Sequence, residues 1–312
     1  MWVTVETFAG VPMRVGWWRP GWGARHPAIL FVIGATPEGI DFPQLRTAAE
    51  AFARGGYLVM IPELPFMKEE RLDPDGSAQI AEAYALLRRH PSTGARAGAF
   101  GFSVGGGALL AAAAREEFLA AAPYLAVLGA YFDMRTYVAA VASRTQRRAG
   151  RRGVRKGGED PILELVSWEP SPDVPERLQR SALRLARDDA ERTALEGVLA
   201  ARSYDDALAR IEALPPRLRD ALDALSPAPA WQRIAAPIHW LHDERDMYVP
   251  VAEAEAARRA PGRARPLRLV VMRLLQHAIP VADSARGQGP RFWASELLVL
   301  LRFAMTVLRA AG

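Results

Sequence analysis

The most constraining feature of the sequence is a run of small residues in which one serine stands between two glycines. Gly101-Phe102-Ser103-Val104-Gly105 follows an apolar segment, 95–100, typical of a buried strand, and precedes an alanine-rich segment typical of a helix. A strand that turns directly into a helix at a serine pushes the hydroxyl out of the backbone. The glycines fit this interpretation because a Cβ there would clash across so tight a turn. We therefore predict that Ser103 is a catalytic nucleophile.

Strand-like and helix-like segments alternate on both sides of Ser103. The opening residues alternate in polarity around the turn Ala9-Gly10, which predicts an antiparallel hairpin. Strands that alternate with helices of ordinary length form a mostly parallel sheet with helices on both faces. The predicted class is therefore α/β. Besides segment 95–100, the further apolar runs that predict buried strands are 28–33, 57–61, 124–129, 238–242 and 267–272.

The alternation is interrupted once, from about Met134 to Ala230. This segment is rich in arginine, helical in pattern and broken by proline and glycine. One of its helices is predicted to begin at the capping residue Ser203 and to direct Leu208 and Ile211 inward. If the opening hairpin supplies the first two strands, the insertion follows the sixth strand. We predict an α/β core, 1–133 and 231–312, and a helical cap, 134–230, over the carboxyl ends of the strands.

The residues that could assist Ser103 are few, because the chain has five histidines. His277 follows the last predicted strand and is expected at the same sheet edge as Ser103, where it would serve as the general base. His242, at the exit of the preceding strand, is the alternative base. The loop after that strand offers three carboxylates, Asp243, Glu244 and Asp246.

The loop 242–250 resembles the H-G-x-x-D-x-x-V-P loop of α/β-hydrolases, with Asp243 in place of the usual glycine. This resemblance implies that Asp246 is the acid, which gives the chain order Ser, Asp, His of that superfamily. Asp133, just past the sixth strand, is the alternative acid, since some members supply the carboxylate there. The G-x-S-x-G-G form and the opening hairpin are most similar to the dienelactone hydrolase and prolyl-oligopeptidase-like branch. Dienelactone hydrolases carry cysteine where this chain has Ser103.

The resemblance also implies an oxyanion hole, which would stabilise a tetrahedral oxyanion with two backbone amides. One donor is the N–H of Val104, at the start of the helix that follows Ser103. The other is the N–H of Ala35, because Gly34-Ala35 occupies the place of the family's H-G-x turn, with Ile33 replacing the histidine.

The activity implied is that of a serine hydrolase acting on carboxylic esters of small or medium size. Thioester, amide and peptide hydrolysis on the same triad remain alternatives, as does a hydrolase-like protein used only for binding. The complete set of serine, aspartate and histidine disfavours the non-catalytic alternative.

Composition excludes several other chemistries. The 312 residues include no cysteine, so thiol nucleophiles, disulfides and cysteine-ligated metals are excluded. Neither a phosphate-binding P-loop nor an H-E-x-x-H motif is present, and we expect no cofactor and no metal. The basic cluster between Arg144 and Lys156 lacks aromatic companions, which favours a solvated loop over a nucleic-acid surface.

The two ends of the chain give expectations about location and partners. Residues 1–6 lack the basic and apolar regions of a signal peptide, so a cytoplasmic location is expected. The apolar stretch 292–308 contains Glu296 and Arg302. It predicts a terminal helix packed on the sheet, with a membrane anchor as the alternative. Beyond a small-molecule ester, no partner is indicated, and self-association into a homo-oligomer is left open.

Overall fold

The computed structural model describes residues 1–149, 162–263, 265, 267–277 and 287–311. Its strands, in chain order, are β1 Trp2–Phe8, β2 Val11–Trp18, β3 His26–Val32, β4 Leu58–Pro62, β5 Thr93–Phe102, β6 Leu125–Leu128, β7 Thr145–Ala149, β8 Leu163–Ser167, β9 Ile238–Asp243 and β10 Leu267–Met272. Its α-helices are α1 Pro43–Arg54, α2 Pro65–Lys68, α3 Gly76–Arg89, α4 Val104–Ala113, α5 Glu117–Ala120, α6 Met134–Ser143, α7 Asp173–Leu183, α8 Asp189–Leu199, α9 Tyr204–Glu212, α10 Pro216–Leu225, α11 Val251–Arg259 and α12 Pro290–Ala311.

Eight of the strands form one sheet in the order β1-β2-β4-β3-β5-β6-β9-β10. The pairs β1–β2 and β2–β4 are antiparallel, and every later pair along this order is parallel. The predicted α/β class, with a mostly parallel sheet that starts from an antiparallel hairpin, is confirmed. Because the parallel strands point the same way, the loops that follow them meet at one edge of the sheet.

The continuous apolar run of β3 shows why this sheet is covered on both faces. Ile29 and Phe31 point into one core cluster, and Leu30 and Val32 point into the other, as the two-residue period of a strand requires. All four side chains are fully buried. Helices α3, α4 and α11 contribute to the cluster on the Leu30 face, whereas α1 and α12 contribute to the cluster on the Ile29 face.

The C-terminal helix α12 packs on the sheet through the buried side chains of Phe303 and Val307. Its opposite side exposes Leu297, Leu298 and Leu301, so apolar side chains lie on both the buried and the exposed face of this helix. Within the described part of the chain, no helix has both the length and the hydropathy that crossing a bilayer requires.

The segment inserted after β6 contains helices α6 to α10 and also a two-stranded antiparallel sheet, β7–β8. The expectation of a solvated loop is wrong for β7, where two arginines of the basic cluster are paired. Arg147 forms an ion pair with Asp205, and Arg148 forms one with Glu255 at 2.7 Å. Arg144 ends α6 in the left-handed conformation, and the remaining members of the cluster, Arg151, Arg152, Arg155 and Lys156, lie outside the described residues.

The helices of the insertion pack around a separate core cluster, to which Tyr131 and Val249 from outside the insertion also belong. Ser203 begins α9 as predicted, since its Oγ accepts the Asp206 amide at 3.2 Å. Ile211 is buried in this core and Leu208 packs against it. Leu178 on α7 is buried there too, and it also lines the cavity beside Ser103. All three apolar residues therefore pack within the insertion, and Leu178 also lines the cavity.

Glu253, on α11, forms hydrogen bonds with the residues at the start of the insertion. Its Oε2 accepts the amides of Phe132 and Asp133, both at 2.9 Å, and its Oε1 lies 2.6 Å from the Thr136 hydroxyl oxygen. Burial raises the pKa of Glu253 to about 7. A protonated Glu253 fits this site, because its O–H can donate to Thr136 while the Thr136 hydroxyl donates to the Asp133 carbonyl at 3.0 Å.

We predict that Glu253 makes the protein less stable as the pH rises from about 4.5 to about 7. The folded-state pKa lies above the unfolded value, so the folded state binds the proton more tightly and loses that advantage as Glu253 ionises. The loss amounts to about 3 kcal/mol over this window. Urea unfolding at several pH values would measure it.

The matched variant is Glu253→Gln, whose amide reproduces the hydrogen bonds of the protonated carboxyl without titrating. As the pH rises from about 4.5 to about 7, the free energy of unfolding of the variant should increase steadily relative to that of wild type. Parallel pH curves for the two proteins would contradict the prediction.

Candidate active site

Ser103 lies between the end of β5 and the start of α4, with φ 54° and ψ −136°. This backbone conformation is strained for a residue with a side chain. It is held in place by close contacts that glycines permit: a Cβ on Gly105 would collide with the Ile33 carbonyl oxygen, and one on Gly101 would lie 2.5 Å from the Gly106 Cα. The Ser103 amide donates to Leu128 O at 2.8 Å, which ties the turn to β6.

The structure brings Ser103, His277 and Asp246 into one hydrogen-bonded chain. His277 Nε2 lies 2.7 Å from Ser103 Oγ, and His277 Nδ1 lies 2.8 Å from Asp246 Oδ2. Ser103 follows β5, Asp246 follows β9 and His277 follows β10, so all three come from the carboxyl edge of the sheet. With Nδ1–H donated to Asp246, Nε2 is left to accept the proton of the serine hydroxyl.

The Asp246 carboxylate is held by backbone donors of its own loop. Its Oδ1 accepts the amides of Tyr248 at 2.8 Å and Val249 at 2.9 Å. Its backbone carbonyl accepts the indole N–H of Trp168, from the inserted segment, at 2.7 Å. A Cβ on Gly129 would lie 3.0 Å from Asp246 Oδ2 and 3.1 Å from His277 Nδ1, so glycine is required for the aspartate and the imidazole to approach the end of β6. The sequence pattern did not reveal this role of Gly129.

The structure places the two alternative residues outside this hydrogen-bonded chain, although His242 Nε2 lies 3.4 Å from Asp246 Oδ2. His242 is fully buried, and both of its ring nitrogens are engaged: Nδ1 accepts the Trp240 indole N–H at 3.2 Å and Nε2 donates to Val249 O at 2.9 Å. Burial lowers the pKa of His242, which favours this neutral form. Asp133 caps α6 by accepting the Arg135 amide at 2.9 Å. Neither residue takes part in the hydrogen-bonded chain at Ser103.

The turn after β3 lies directly against Ser103. A Cβ on Gly34 would lie 2.8 Å from the Ser103 Cβ and 3.4 Å from its Oγ. This contact brings the Gly34–Ala35 peptide, which carries the Ala35 N–H, to the serine. Val104 is the first residue of the ten-residue helix α4, so its amide has no acceptor within that helix. The two amides expected to form an oxyanion hole thus lie on the segments that meet at Ser103.

A cavity of about 470 Å³ opens at Ser103 between the sheet edge and the inserted segment. Ala108 on α4, Tyr131 after β6 and Met134 on α6 line it on one side. Phe42 and Leu45, at the start of α1, line it further along. Its walls are mostly apolar, and Arg177 and Glu70 reach it together as an ion pair at 2.7 Å. In the described part of the chain, no group of three or more histidine and carboxylate side chains is placed to hold a metal ion.

Asp243 is a residue of the site whose role the sequence did not show. It is buried, its Oδ1 accepts the Arg245 amide at 2.8 Å and its Oδ2 accepts the Leu275 amide at 2.8 Å. Leu275 precedes His277 by two residues, so this carboxylate fastens the loop that presents the imidazole. Burial raises the pKa of Asp243. The H-G-x-x-D-x-x-V-P loop has glycine at this position, whereas in this chain the Asp243 carboxylate joins two loops of the site.

Comparison with solved structures shows the fold. No protein-family model matches the sequence, and no curated protein is significantly similar to it. The structure of 2,6-dihydroxy-pseudo-oxynicotine hydrolase is similar with a TM-score of 0.55 and 18% identity, over 96% of this chain and 67% of the other. Est1E from Butyrivibrio proteoclasticus is similar with a TM-score of 0.57 and 12% identity, over the whole of both chains.

A third similar structure is the acylaminoacyl peptidase of Pyrococcus horikoshii, with a TM-score of 0.57 and 11% identity. The similarity covers 97% of this chain but only 41% of the peptidase, so the chain spans less than half of that protein. Together with the strand order and the serine turn between β5 and α4, these similarities show that the chain has the α/β-hydrolase fold.

We predict that Asp243→Ala loosens the loop that carries His277. The substitution removes the acceptor of the part-buried Leu275 and Arg245 amides, and each lost hydrogen bond costs about 0.5–1.5 kcal/mol. Amide hydrogen exchange of residues 273–277 should become faster, and the free energy of unfolding should fall.

The neighbouring Glu244→Ala is the control, because Glu244 is exposed and forms a long ion pair with Arg148 of β7, at 3.9 Å. Equal exchange rates for residues 273–277 in wild type and Asp243→Ala would show that the carboxylate does not hold the loop.

Proposed function

We propose that the protein is a serine hydrolase that cleaves carboxylic esters of small or medium size. The observation that carries this proposal is the hydrogen-bonded chain from Ser103 through His277 to Asp246, which lies at a roofed, mostly apolar cavity. A serine hydroxyl becomes a nucleophile when an adjacent base is oriented by a third group, and the three residues have that relation. The similar structures, which include a hydrolase and a peptidase, are compatible with it.

The proposed reaction uses the three residues of the hydrogen-bonded chain in turn. Ser103 Oγ attacks the ester carbonyl carbon while its proton passes to His277 Nε2, and Asp246 stabilises the imidazolium through Nδ1. The C–O bond to the alcohol then breaks, and the alcohol leaves with the proton from Nε2. Water, deprotonated in turn by His277, attacks the acyl group on Ser103, and the carboxylic acid is released with Ser103 restored.

The negative charge of the tetrahedral oxygen would be stabilised by the amides of Val104 and Ala35. The Val104 amide opens α4, where the helix dipole also favours an anion. The Ala35 amide belongs to the peptide that Gly34 brings against Ser103. Backbone donors fixed before the reaction begins stabilise the charge with little reorganisation, which is the main source of acceleration in acyl transfer.

The cavity supports the choice of substrate. A volume of about 470 Å³ beneath a roof of helices has room for a compact acyl group and a small alcohol, whereas a folded protein would not pass beneath that roof. Apolar walls favour an acyl chain over a charged group. We also propose that the protein is an esterase of the dienelactone hydrolase or prolyl-oligopeptidase-like branch, with a serine nucleophile. The opening hairpin β1–β2 and the Gly105-Gly106 pair after the serine support this branch.

We predict that a fluorophosphonate probe labels wild type at Ser103 and that Ser103→Ala abolishes both labelling and the hydrolysis of p-nitrophenyl butyrate. The expected loss of kcat is about 10⁴-fold or more, because the acyl-enzyme cannot form. Asp246→Asn should cause a comparable loss, whereas Asp133→Asn should retain activity because its amide oxygen still caps α6.

Labelling at another residue, or full turnover by Ser103→Ala, would refute the assignment of the nucleophile. If Ser103 is labelled but thioesters or acylated amino acid amides are hydrolysed in preference to esters, the mechanism stands and the bond that is cleaved is a thioester or an amide. Circular dichroism and thermal unfolding of each variant provide the control for folding.

We further predict that the cavity limits acyl length. Among p-nitrophenyl esters, acetate, butyrate and octanoate should be cleaved well and palmitate poorly. Ala108→Leu would fill part of the wall one turn beyond Val104, so kcat/KM for octanoate should fall about 10-fold while that for acetate changes little. Ala209→Leu, on the exposed side of α9, is the control. Equal effects on every chain length would show that Ala108 does not border the acyl group.

A further inference from the structure

Arg177 connects the inserted segment to the turn that follows β3. It lies on α7, is about half-buried and lines the cavity beside Ser103. One terminal nitrogen donates to the Ala35 carbonyl at 3.2 Å and pairs with Glu70 at 2.7 Å. The other pairs with Asp173 at 3.2 Å. The guanidinium therefore joins a helix of the insertion to two loops of the sheet domain.

The contact with Ala35 fixes a peptide group from both sides. The Ala35 carbonyl belongs to the Ala35–Thr36 peptide, whose N–H is the Thr36 amide. That amide donates to Met67 O, on α2, at 3.3 Å. The peptide is thus held at its oxygen by Arg177 and at its nitrogen by α2. Because this plane limits rotation about the Ala35 backbone, it also sets the direction of the preceding Gly34–Ala35 peptide and of the Ala35 N–H.

The charges around Arg177 argue against a role in binding an anionic substrate. Glu70 and Asp173 both contact its guanidinium, so its charge is already balanced by carboxylates within the protein. Glu70 is itself held, because its carbonyl accepts the hydroxyl of Ser181 on α7. The planar, forked guanidinium is suited to reach a carbonyl and two carboxylates at once, which an ammonium group could not do with the same geometry.

We propose that Arg177 is a positioning residue that aligns the Ala35 N–H for the tetrahedral oxyanion, so that the oxyanion hole is complete only when α7 is docked on the sheet domain. The proposal rests on the proposed function, because it requires that Ala35 be an oxyanion donor. It assigns to the inserted segment a part in the chemical step, in addition to enclosing the substrate.

The test uses Arg177→Ala and, as its matched control, Arg180→Ala. Arg180 lies one turn away from Arg177 on α7 and pairs with the same Glu70 at 3.4 Å, while its other partner is Glu176 at 3.3 Å. We expect kcat for p-nitrophenyl butyrate to fall about 10- to 100-fold in Arg177→Ala with KM changed less than about 3-fold, because a misaligned donor weakens transition-state binding alone. Arg180→Ala should stay within about 2-fold of wild type.

A structural role alone would not produce two further results. Added guanidinium chloride, at concentrations far below those that denature the protein, should restore part of kcat in Arg177→Ala. The inhibition constant of an aliphatic trifluoromethyl ketone, whose hemiketal oxygen mimics the oxyanion, should rise by about the same factor as kcat/KM falls. Arg177→Lys should recover less activity than guanidinium does, because its ammonium cannot reach all three partners.

The outcomes separate this proposal from the proposed function. If wild type is labelled by the fluorophosphonate at Ser103 but Arg177→Ala and Arg180→Ala have the same kcat, the role of Arg177 is overturned and the hydrolase stands. A rise in KM alone, or the absence of guanidinium rescue in a folded Arg177→Ala, also overturns the role of Arg177. If wild type neither reacts with the probe nor cleaves any ester, thioester or amide, both proposals fall.

Discussion

The close approach of three backbone segments at Ser103 is the constraint on which the site depends. The turn from β5 to α4, the end of β3 and the end of β6 meet there, and glycines at 34, 101 and 105 leave no side chain in the gaps between them. A positive φ at a serine costs on the order of 1–3 kcal/mol, and it persists because the surrounding sheet fixes both ends of the turn. The strain is thus a consequence of packing, and it projects the hydroxyl toward His277.

Once the serine is fixed, the two other polar residues are positioned mainly by their own loops. Asp246 accepts two amides of the loop in which it lies, and Asp243 accepts an amide from the loop of His277. Hydrogen bonds to the Asp243 carboxylate thus join the loop that follows β9 to the loop that follows β10. The imidazole is oriented by a network of buried acceptors, which keeps its loop in register with a serine 174 positions earlier in the chain.

The sequence predicted the parts of this structure whose cause is local. The run of apolar residues in β3 predicts a strand buried on both faces, because strand-like and helix-like segments alternate in the chain. The glycines around Ser103 predict a tight turn from a strand into a helix, because side chains at these positions would clash. The strand β7 was missed because its arginines hide the alternation, and their partners Asp205 and Glu255 are distant in the chain. Asp243 was missed for a similar reason: one carboxylate among three in a loop shows its role only when Leu275, 32 residues later, is placed beside it.

The hydrogen bond from the Trp168 indole to the Asp246 carbonyl has a consequence for how such a protein can be altered. Ser171, three residues further on, donates its amide to Met247 O at 2.8 Å, so the insertion and the acid loop share a continuous interface. A chimera that exchanged segment 134–230 for the lid of another hydrolase would remove both donors from this interface and leave the two carbonyls without these partners. The insertion is therefore not an interchangeable module, and its sequence and that of the acid loop are expected to change together when the protein is redesigned.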